Sequence, residues 1–339
     1  MTRKPLSLDV LTPPGGGASL LYSDEGLVDA RDGTVYPVRN GIVYLLPRRA
    51  RNARVKEAEK AGWKTVYEKN DWTVSGQAIL GLPHSSDDPY WQETARAMEF
   101  ALAARPDWRG TTGLDLACGI GWATAIFARA GARMIAADFN DTEHNGLAAA
   151  VTMRECGVDF DAVCCDGEEL PVADGSLDFV FVCSALHHFT RPEATLREIF
   201  RILRPGGQLL DIRESFRTFW QRAEHEREGT RRSEFLAAGI HEADYTQREY
   251  EKLFHDAGFE LTTLLPGWDK PDPSKPPHEW INARFAVRRR EHPNPLVRLL
   301  LSVLSAHAAL PLARWRLLHC TRKDRIFLAR KPWETSSSR

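Results

Sequence analysis

The sequence predicts an α/β fold, a mostly parallel sheet with helices on both faces. Three observations carry that reading. From Thr111 onward, short apolar and β-branched runs alternate with helical segments, the pattern of repeated βαβ units. The first run leads into a glycine-rich turn, GLDLACGIGW, at the start of a helix. The next two runs end in Asp138 and Asp166, which a parallel sheet brings to the same carboxyl edge.

Each element can be justified in chain order. The first fifty residues are turn-rich and strand-like, with PPGGG at Pro13 to Gly17, ARDG at Ala30 to Gly33, and the apolar runs TVYPV and GIVYLLP, and read as a small unit of their own. From Arg51 to about Asp107 the pattern turns helical, and Pro89 and Pro106 bracket the amphipathic segment DDPYWQETARAMEFALAARPD. The alternation then runs strand TGLDLAC, helix TAIFARAGA, strand RMIAADF, helix HNGLAAAVTMRECG, strand DAVCCD, strand LDFVFVCSAL, helix RPEATLREIFRIL and strand GQLLDIRE, with LRPGG (Leu203 to Gly207) as a helix end and turn. A helix, TQREYEKLFHDAGF, and the strands FELTTLL and KDRIFLAR close the chain, with insertions at 215–245 and 267–322.

At 339 residues and 43% hydrophobic the chain has ample material for a buried core. Its formal charge of minus 1 argues against a protein that coats nucleic acid, but the average hides an asymmetry. Residues 281–339 hold 13 Lys and Arg against three acids, a net plus 10, which leaves minus 11 for the rest. The six cysteines form neither a CxxC pair nor a disulfide pattern and read as reduced thiols. With no signal-peptide pattern and no apolar run of membrane-spanning length, a soluble cytoplasmic protein is expected.

Chemistry is expected at the carboxyl edge. Glycines at 119 and 121 let a ligand approach the backbone, and Asp138, nineteen residues after Gly119, is placed to accept hydrogen bonds from ribose hydroxyls. Asp115, these glycines, Asp138, Asp166 and LRPGG in one order are far more specific than any of them alone. Residues 111 to about 265 thus resemble a class I S-adenosylmethionine-dependent methyltransferase of the broad group (methyltransferase type 11-like) that includes the ubiquinone and menaquinone biosynthesis methyltransferases. The family pattern D-x-G-x-G-x-G is met at Asp115, Gly119 and Gly121, while Ala117 stands in place of its first glycine, a departure that adds a methyl group.

The resemblance implies a Rossmann-like seven-stranded class I methyltransferase sheet with helices on both faces, plus the small β-rich N-terminal module and helical insertions. It implies S-adenosylmethionine (SAM) as cofactor, held by Asp115, Ala117, Cys118, Gly119, Gly121, Asp138, Phe139, Asp166, Gly167 and Cys183. The turn from Ala117 to Gly121 would pass under the methionine part, Asp138 would hold the ribose, and Asp166, with Gly167 and Glu168 beside it, would meet the adenine amino group. A nicotinamide-dependent dehydrogenase would want G-x-G-x-x-G, and Thr124 stands where its third glycine belongs.

Methyl transfer from a sulfonium is an in-line displacement, so a base is needed only for a protonated acceptor of high pKa. The fourth strand of the alternation ends in CSALHHF, which makes His188, then His187, the candidate catalytic bases on the acceptor side. Arg213, Glu214, Tyr90 and Trp220 are the candidate acceptor-binding residues, with 215–245 as a helical lid. The expected reaction is methylation of a small organic substrate, such as a natural product, sugar or lipid-linked intermediate, with an rRNA or tRNA base as the alternative. A scaffold that binds cofactor without catalysis is disfavoured by the intact landmarks.

The segment YPVRNGIVYLLP (Tyr36 to Pro47) resembles the closing hairpin of Trm112-like zinc-ribbon modules. Those modules bind zinc through four cysteines, and here no cysteine precedes Cys118, so the module would lack its zinc and no metal is expected. The domain reading is therefore residues 1–50 as this module, 51–108 as helical linker and N-terminal helices, 109–331 as the methyltransferase domain, and 332–339 as a tail. The basic, apolar stretch 281–322 is expected to face a membrane surface or a second copy, or to cap the domain, and nucleic acid is disfavoured as a partner.

Overall fold

The computed structural model describes residues 5–47, 53–221, 231–266, 269, 294–296, 298, 306–320 and 324–333. Its centre is a sheet built from β5 (Thr112–Leu116), β6 (Arg133–Asp138), β7 (Asp161–Cys165), β8 (Leu177–Cys183), β9 (Leu203–Ile212), β10 (Glu260–Leu264) and β11 (Ile326–Arg330), in the spatial order β7-β6-β5-β8-β9-β11-β10. From β7 to β9 all pairings are parallel, and β11 runs antiparallel to both β9 and β10. This is the seven-stranded arrangement expected. The strand order reverses between β5 and β8, the switch point at which open α/β sheets bind ligands.

The N-terminal strands are not a unit apart. Strands β1 (Leu20–Ser23), β2 (Gly26–Asp29), β3 (Val35–Arg39) and β4 (Ile42–Leu45) form an antiparallel meander, and β4 pairs in parallel with β7, so the sheet continues to eleven strands. Asn40 and Gly41 (φ 52° and 76°) close the β3–β4 hairpin with the left-handed conformations that a two-residue turn needs. The meander covers an edge that would otherwise expose unpaired backbone groups.

Both faces of the sheet are buried, and successive residues serve opposite faces. Phe179 and Phe181 of β8 pack with Trp108 and Phe127 in one core, whereas Val180 and Val182 join Leu114 and Leu116 in the other. The helices lie on these cores. Helix α1 (Ala53–Asn70) and α2 (Gln77–Gly81) precede α3 (Pro89–Ala103), which starts with Pro89 in the first turn and the Asp88 side chain accepting the Tyr90 N–H. Helix α4 (Trp122–Arg129) follows β5, and α5 (Leu147–Val151) runs into a 3-10 turn, Thr152–Cys156, that ends at Gly157 with φ 83°.

Later come α6 (Pro192–Ile202), α7 (Arg231–Ala237), α8 (Gln247–Asp256), capped by a reciprocal Thr246–Glu249 box, and α9 (Ala306–Cys320), which contains Pro311. LRPGG is a correction: it lies within β9 rather than forming a turn. The register slips there, from Leu177 opposite Leu203 to Phe179 opposite Gln208, so the extra residues are taken up as a bulge. Of the expected lid, residues 222–230 lie outside the described residues, as does most of 281–322. Among the described residues no helix is long and apolar enough to cross a membrane. All six cysteines are free thiols.

Candidate active site

A cavity of ≈ 810 Å³ opens over the carboxyl ends of the parallel strands. Its floor is the turn after β5. Ala117, Gly119 and Gly121 all have positive φ (55°, 52° and 76°), so this backbone is left-handed three times in five residues. At Ala117 the family's missing glycine therefore means more than one methyl group, because an L-residue pays about 1–2 kcal/mol in that region.

Two expected cofactor ligands act from beneath the cavity rather than in it. The buried Asp115 carboxylate accepts from the Thr124 N–H (2.9 Å) and Thr124 Oγ1 (2.6 Å), pinning the first turn of α4. Burial pushes its pKa up to about 7 against the pull of those two bonds. Gly121 caps α4, and a Cβ there would lie 2.9 Å from the Ala150 Cβ. Its glycine is required by packing against α5.

Asp138, at the end of β6, lines the cavity. Its Oδ2 accepts the Gly119 N–H at 2.8 Å and its Oδ1 the Asn140 N–H at 2.8 Å. Burial raises its pKa to about 6. Each oxygen keeps a further lone pair, so a vicinal diol can be bound by a carboxylate already fixed by two backbone donors. Ala117, Cys118, Phe139, Gly167 and Cys183 also line the space, and burial holds both thiols well above the ordinary cysteine range, hence protonated.

Asp166 also lines the cavity, with both of its oxygens already engaged. Its Oδ1 accepts the Glu168 N–H (2.9 Å), while Oδ2 is ion-paired with Lys56 of α1. An adenine amino group would have to share that oxygen with a lysine.

On the opposite wall, the end of β8 turns into a 3-10 segment, Leu186–His188. The buried Glu214 gathers this segment: Oε1 accepts the N–H groups of Ala185 (2.9 Å) and Leu186 (3.0 Å), and Oε2 accepts that of His187 (3.0 Å). Glu214 Oε2 also lies 2.6 Å from His187 Nδ1 and 3.2 Å from the Tyr250 hydroxyl. Burial opposes the Glu214 charge, yet the His187 imidazole and the backbone donors hold its pKa down at about 2. Burial likewise opposes a charged His187, and Glu214 overcomes it and raises the histidine's pKa. His188 is the reverse: burial, reinforced by His187, lowers its pKa to about 3. His187 is therefore the stronger base of the two, the opposite of the order expected from sequence. Beside Glu214, burial and the neighbouring charge push the Asp211 carboxyl well above its ordinary range.

Arg213 and Tyr90 line the same cavity, but the Arg213 charge is already engaged. It pairs with Glu93 (2.9 Å) and Asp324 and lies 5.0 Å from the Tyr90 ring centre. Trp220 is not brought to the site: it is 59% exposed and packs on Phe219 outside the cavity.

Sequence comparison agrees with this geometry. A family model described as "Methyltransferase domain" matches residues 114–211. Residues 114–211 are a class I S-adenosylmethionine-dependent methyltransferase domain. Among curated proteins, the demethylmenaquinone methyltransferase of Mycobacterium tuberculosis strain H37Rv is 35% identical over 145 residues, 43% of this chain and 53% of that protein. That of Beutenbergia cavernae is 37% identical over 123 residues, 36% of this chain and 46% of that protein. The chain thus spans about half the length, or less, of these relatives. Among solved structures, the (4+2)-cyclase SpnF aligns with a TM-score of 0.50 and 22% identity over 82% of this chain and 96% of that one. This is a likeness of fold.

The cofactor of the methyltransferase domain is SAM, and the residues present suit it: a turn whose backbone is bare at Gly119, and an anchored carboxylate at Asp138. The roof over the methyltransferase cavity is what sequence reasoning missed. Lys56, Glu59, Trp63 and Tyr67 of α1 all line it, and their spacing of three, four and four residues marks one helical face. That spacing was legible; what was not is that this face turns toward the sheet edge. Glu242, from the loop before α8, also lines the cavity and had no local signal at all.

Proposed function

We propose that the chain transfers the methyl group of SAM to a small organic acceptor, a hydroxylated aromatic of quinol type being the best fit. The observation that carries the reading is that one cavity, built from this chain alone, joins the Asp138–Gly119 edge to an aromatic wall of Trp63, Tyr67, Tyr90, Trp91 and Phe235. Its volume lies in the range of small-molecule sites. The curated relatives named demethylmenaquinone methyltransferase support an acceptor of that chemical kind.

When bound, SAM supplies an electrophilic methyl carbon on a sulfonium. The chain's part is to align and to exclude water. Asp138 and the turn through Gly119 hold one end, α1 roofs the space, and the aromatic wall orients a flat acceptor against the floor. If the acceptor carries a proton on the attacking atom, His187 Nε2, with Glu214 behind the ring, is the group that can take it.

The RNA alternative is disfavoured by the lining itself. Asp71, Asp88, Glu242 and Asp244 all border the cavity and repel a phosphate backbone. The test is incubation of the full chain with methyl-labelled SAM and, separately, a reduced demethylmenaquinone analogue, a set of simple phenols and total RNA. Label in the quinol or a phenol is the expected result. Label in RNA alone would reverse the reading.

A further inference from the structure

His187 and His188 are neighbours on a single tight turn, where adjacent side chains ordinarily diverge, yet both deliver Nε2 to one carboxylate. His187 Nε2 lies 3.8 Å from Glu242 Oε2, and His188 Nε2 lies 3.6 Å from Glu242 Oε1. The rings are 4.2 Å apart between centres and tilted by 39°. One ligand atom from each of the three residues falls within 4.8 Å of the others.

These separations are too long for hydrogen bonds. They approach the spacing of donors around a common ion, which bonds of about 2.0–2.1 Å place roughly 3–3.5 Å apart.

The outer ring nitrogens fix the tautomers. His187 Nδ1 is 2.6 Å from Glu214 Oε2, and His188 Nδ1 is 2.6 Å from the His241 carbonyl oxygen. Both oxygens accept, so each Nδ1 carries the proton and donates. On a neutral ring this leaves the Nε2 lone pair on the inner side. Imidazoles that bind metals are oriented in this way, with the far N–H donated to a carboxylate or a backbone carbonyl. The three side chains are 5%, 16% and 5% exposed, so the donors are held by packing and are not loose surface groups.

We propose that His187, His188 and Glu242 bind a divalent first-row transition-metal ion on the acceptor wall of the cavity, with its remaining coordination positions open to an oxygen of the acceptor. Two imidazoles and one carboxylate favour zinc, iron, cobalt or nickel over magnesium and calcium, which prefer all-oxygen shells. Glu214 and Asp244 nearby add a negative field that favours a dication. An acceptor oxygen held on such an ion is oriented by it, and in the metal-bound form this positioning takes the place of the base role that His187 Nε2 can play when no metal is bound. The sequence reading expected no metal because the N-terminal module lacks its zinc cysteines; Glu242 stands 54 positions beyond His188, and only the fold brings it to the pair.

Metal binding is read with neither cofactor nor acceptor present, so it succeeds or fails apart from methyl transfer. The full chain, stripped with a chelator, is titrated with Zn²⁺ by calorimetry and with Co²⁺ by visible absorption, and Cu²⁺-loaded protein is examined by pulsed electron paramagnetic resonance. One ion per chain, a ligand-field cobalt spectrum and two coordinated imidazoles are expected. His188→Ala and Glu242→Gln should each weaken Zn²⁺ binding by roughly 100-fold, whereas His84→Ala, at an exposed site, leaves it unchanged. No stoichiometric binding by the unaltered chain, fewer than two imidazoles on copper, or binding indifferent to both substitutions would overturn the proposal. The wild-type readouts decide it even if a variant fails to fold.

Discussion

Oδ2 of Asp138 accepts the backbone N–H of Gly119 at 2.8 Å, which ties the end of β6 to the glycine turn after β5. One carboxylate therefore fixes the floor of the cavity and, on the proposed reading, would offer its remaining lone pairs to the ribose. Asp138→Ala removes both at once. SAM affinity measured by calorimetry should fall by roughly 10- to 100-fold, in line with about 1.5–3 kcal/mol for a hydrogen bond to a charged group. An unchanged affinity would remove Asp138 from the cofactor site.

The Asp115–Thr124 pair works one layer lower. Thr124 donates to Asp115 twice, through N–H and Oγ1, and neither residue lines the cavity. Thr124→Val keeps the shape and deletes one buried bond. Melting experiments should show a loss of about 1–2 kcal/mol, and SAM binding should weaken only a few-fold. A loss of affinity as large as that of Asp138→Ala would mean direct contact with the cofactor.

The succession of strands and helices, the carboxyl edge and the place of Asp138 at a strand end were legible because they depend on local pattern: short apolar runs, glycine turns and strand-end acids follow one another in order. What escaped is tertiary. Nothing local says that Lys56 will take Asp166, that Arg213 will be neutralised by Glu93 and Asp324, or that β4 will pair with β7. The relative basicity of His187 and His188 also depends on Glu214, which comes from the next strand's end, and adjacent identical residues carry no sign of which one it will reach.

Glu59 gives a pH signature. It is 5% exposed on the roof helix, and burial raises its pKa to about 8, against a hydrogen bond from the His241 backbone. Between the unfolded carboxyl value of about 4.3 and the folded value of about 8, the folded chain keeps a proton that the unfolded chain has released. Stability is therefore lost as pH rises through that window, by at most roughly 1.4 kcal/mol per unit. Glu59→Gln should flatten this slope. Urea denaturation at about pH 5.5 and about pH 8 should show the variant overtaking the wild type only at the higher pH. Parallel curves would exclude Glu59 as the source.

Two glycines separate stability from binding. A Cβ at Gly113, in β5, would lie 2.2 Å from Phe179 Cζ, deep in the core and away from the cavity. A Cβ at Gly167 would lie 2.5 Å from Phe189 Cε1, and both Gly167 and Phe189 line the cavity. Overpacking of either kind costs about 1–3 kcal/mol. Gly113→Ala should lower the melting temperature and leave SAM affinity intact in the folded fraction. Gly167→Ala should lower both, because the Phe189 ring can yield only by moving within the site wall. Calorimetry on the two variants, each below its own melting transition, makes the comparison, and equal affinities would show that Gly167 matters for packing alone.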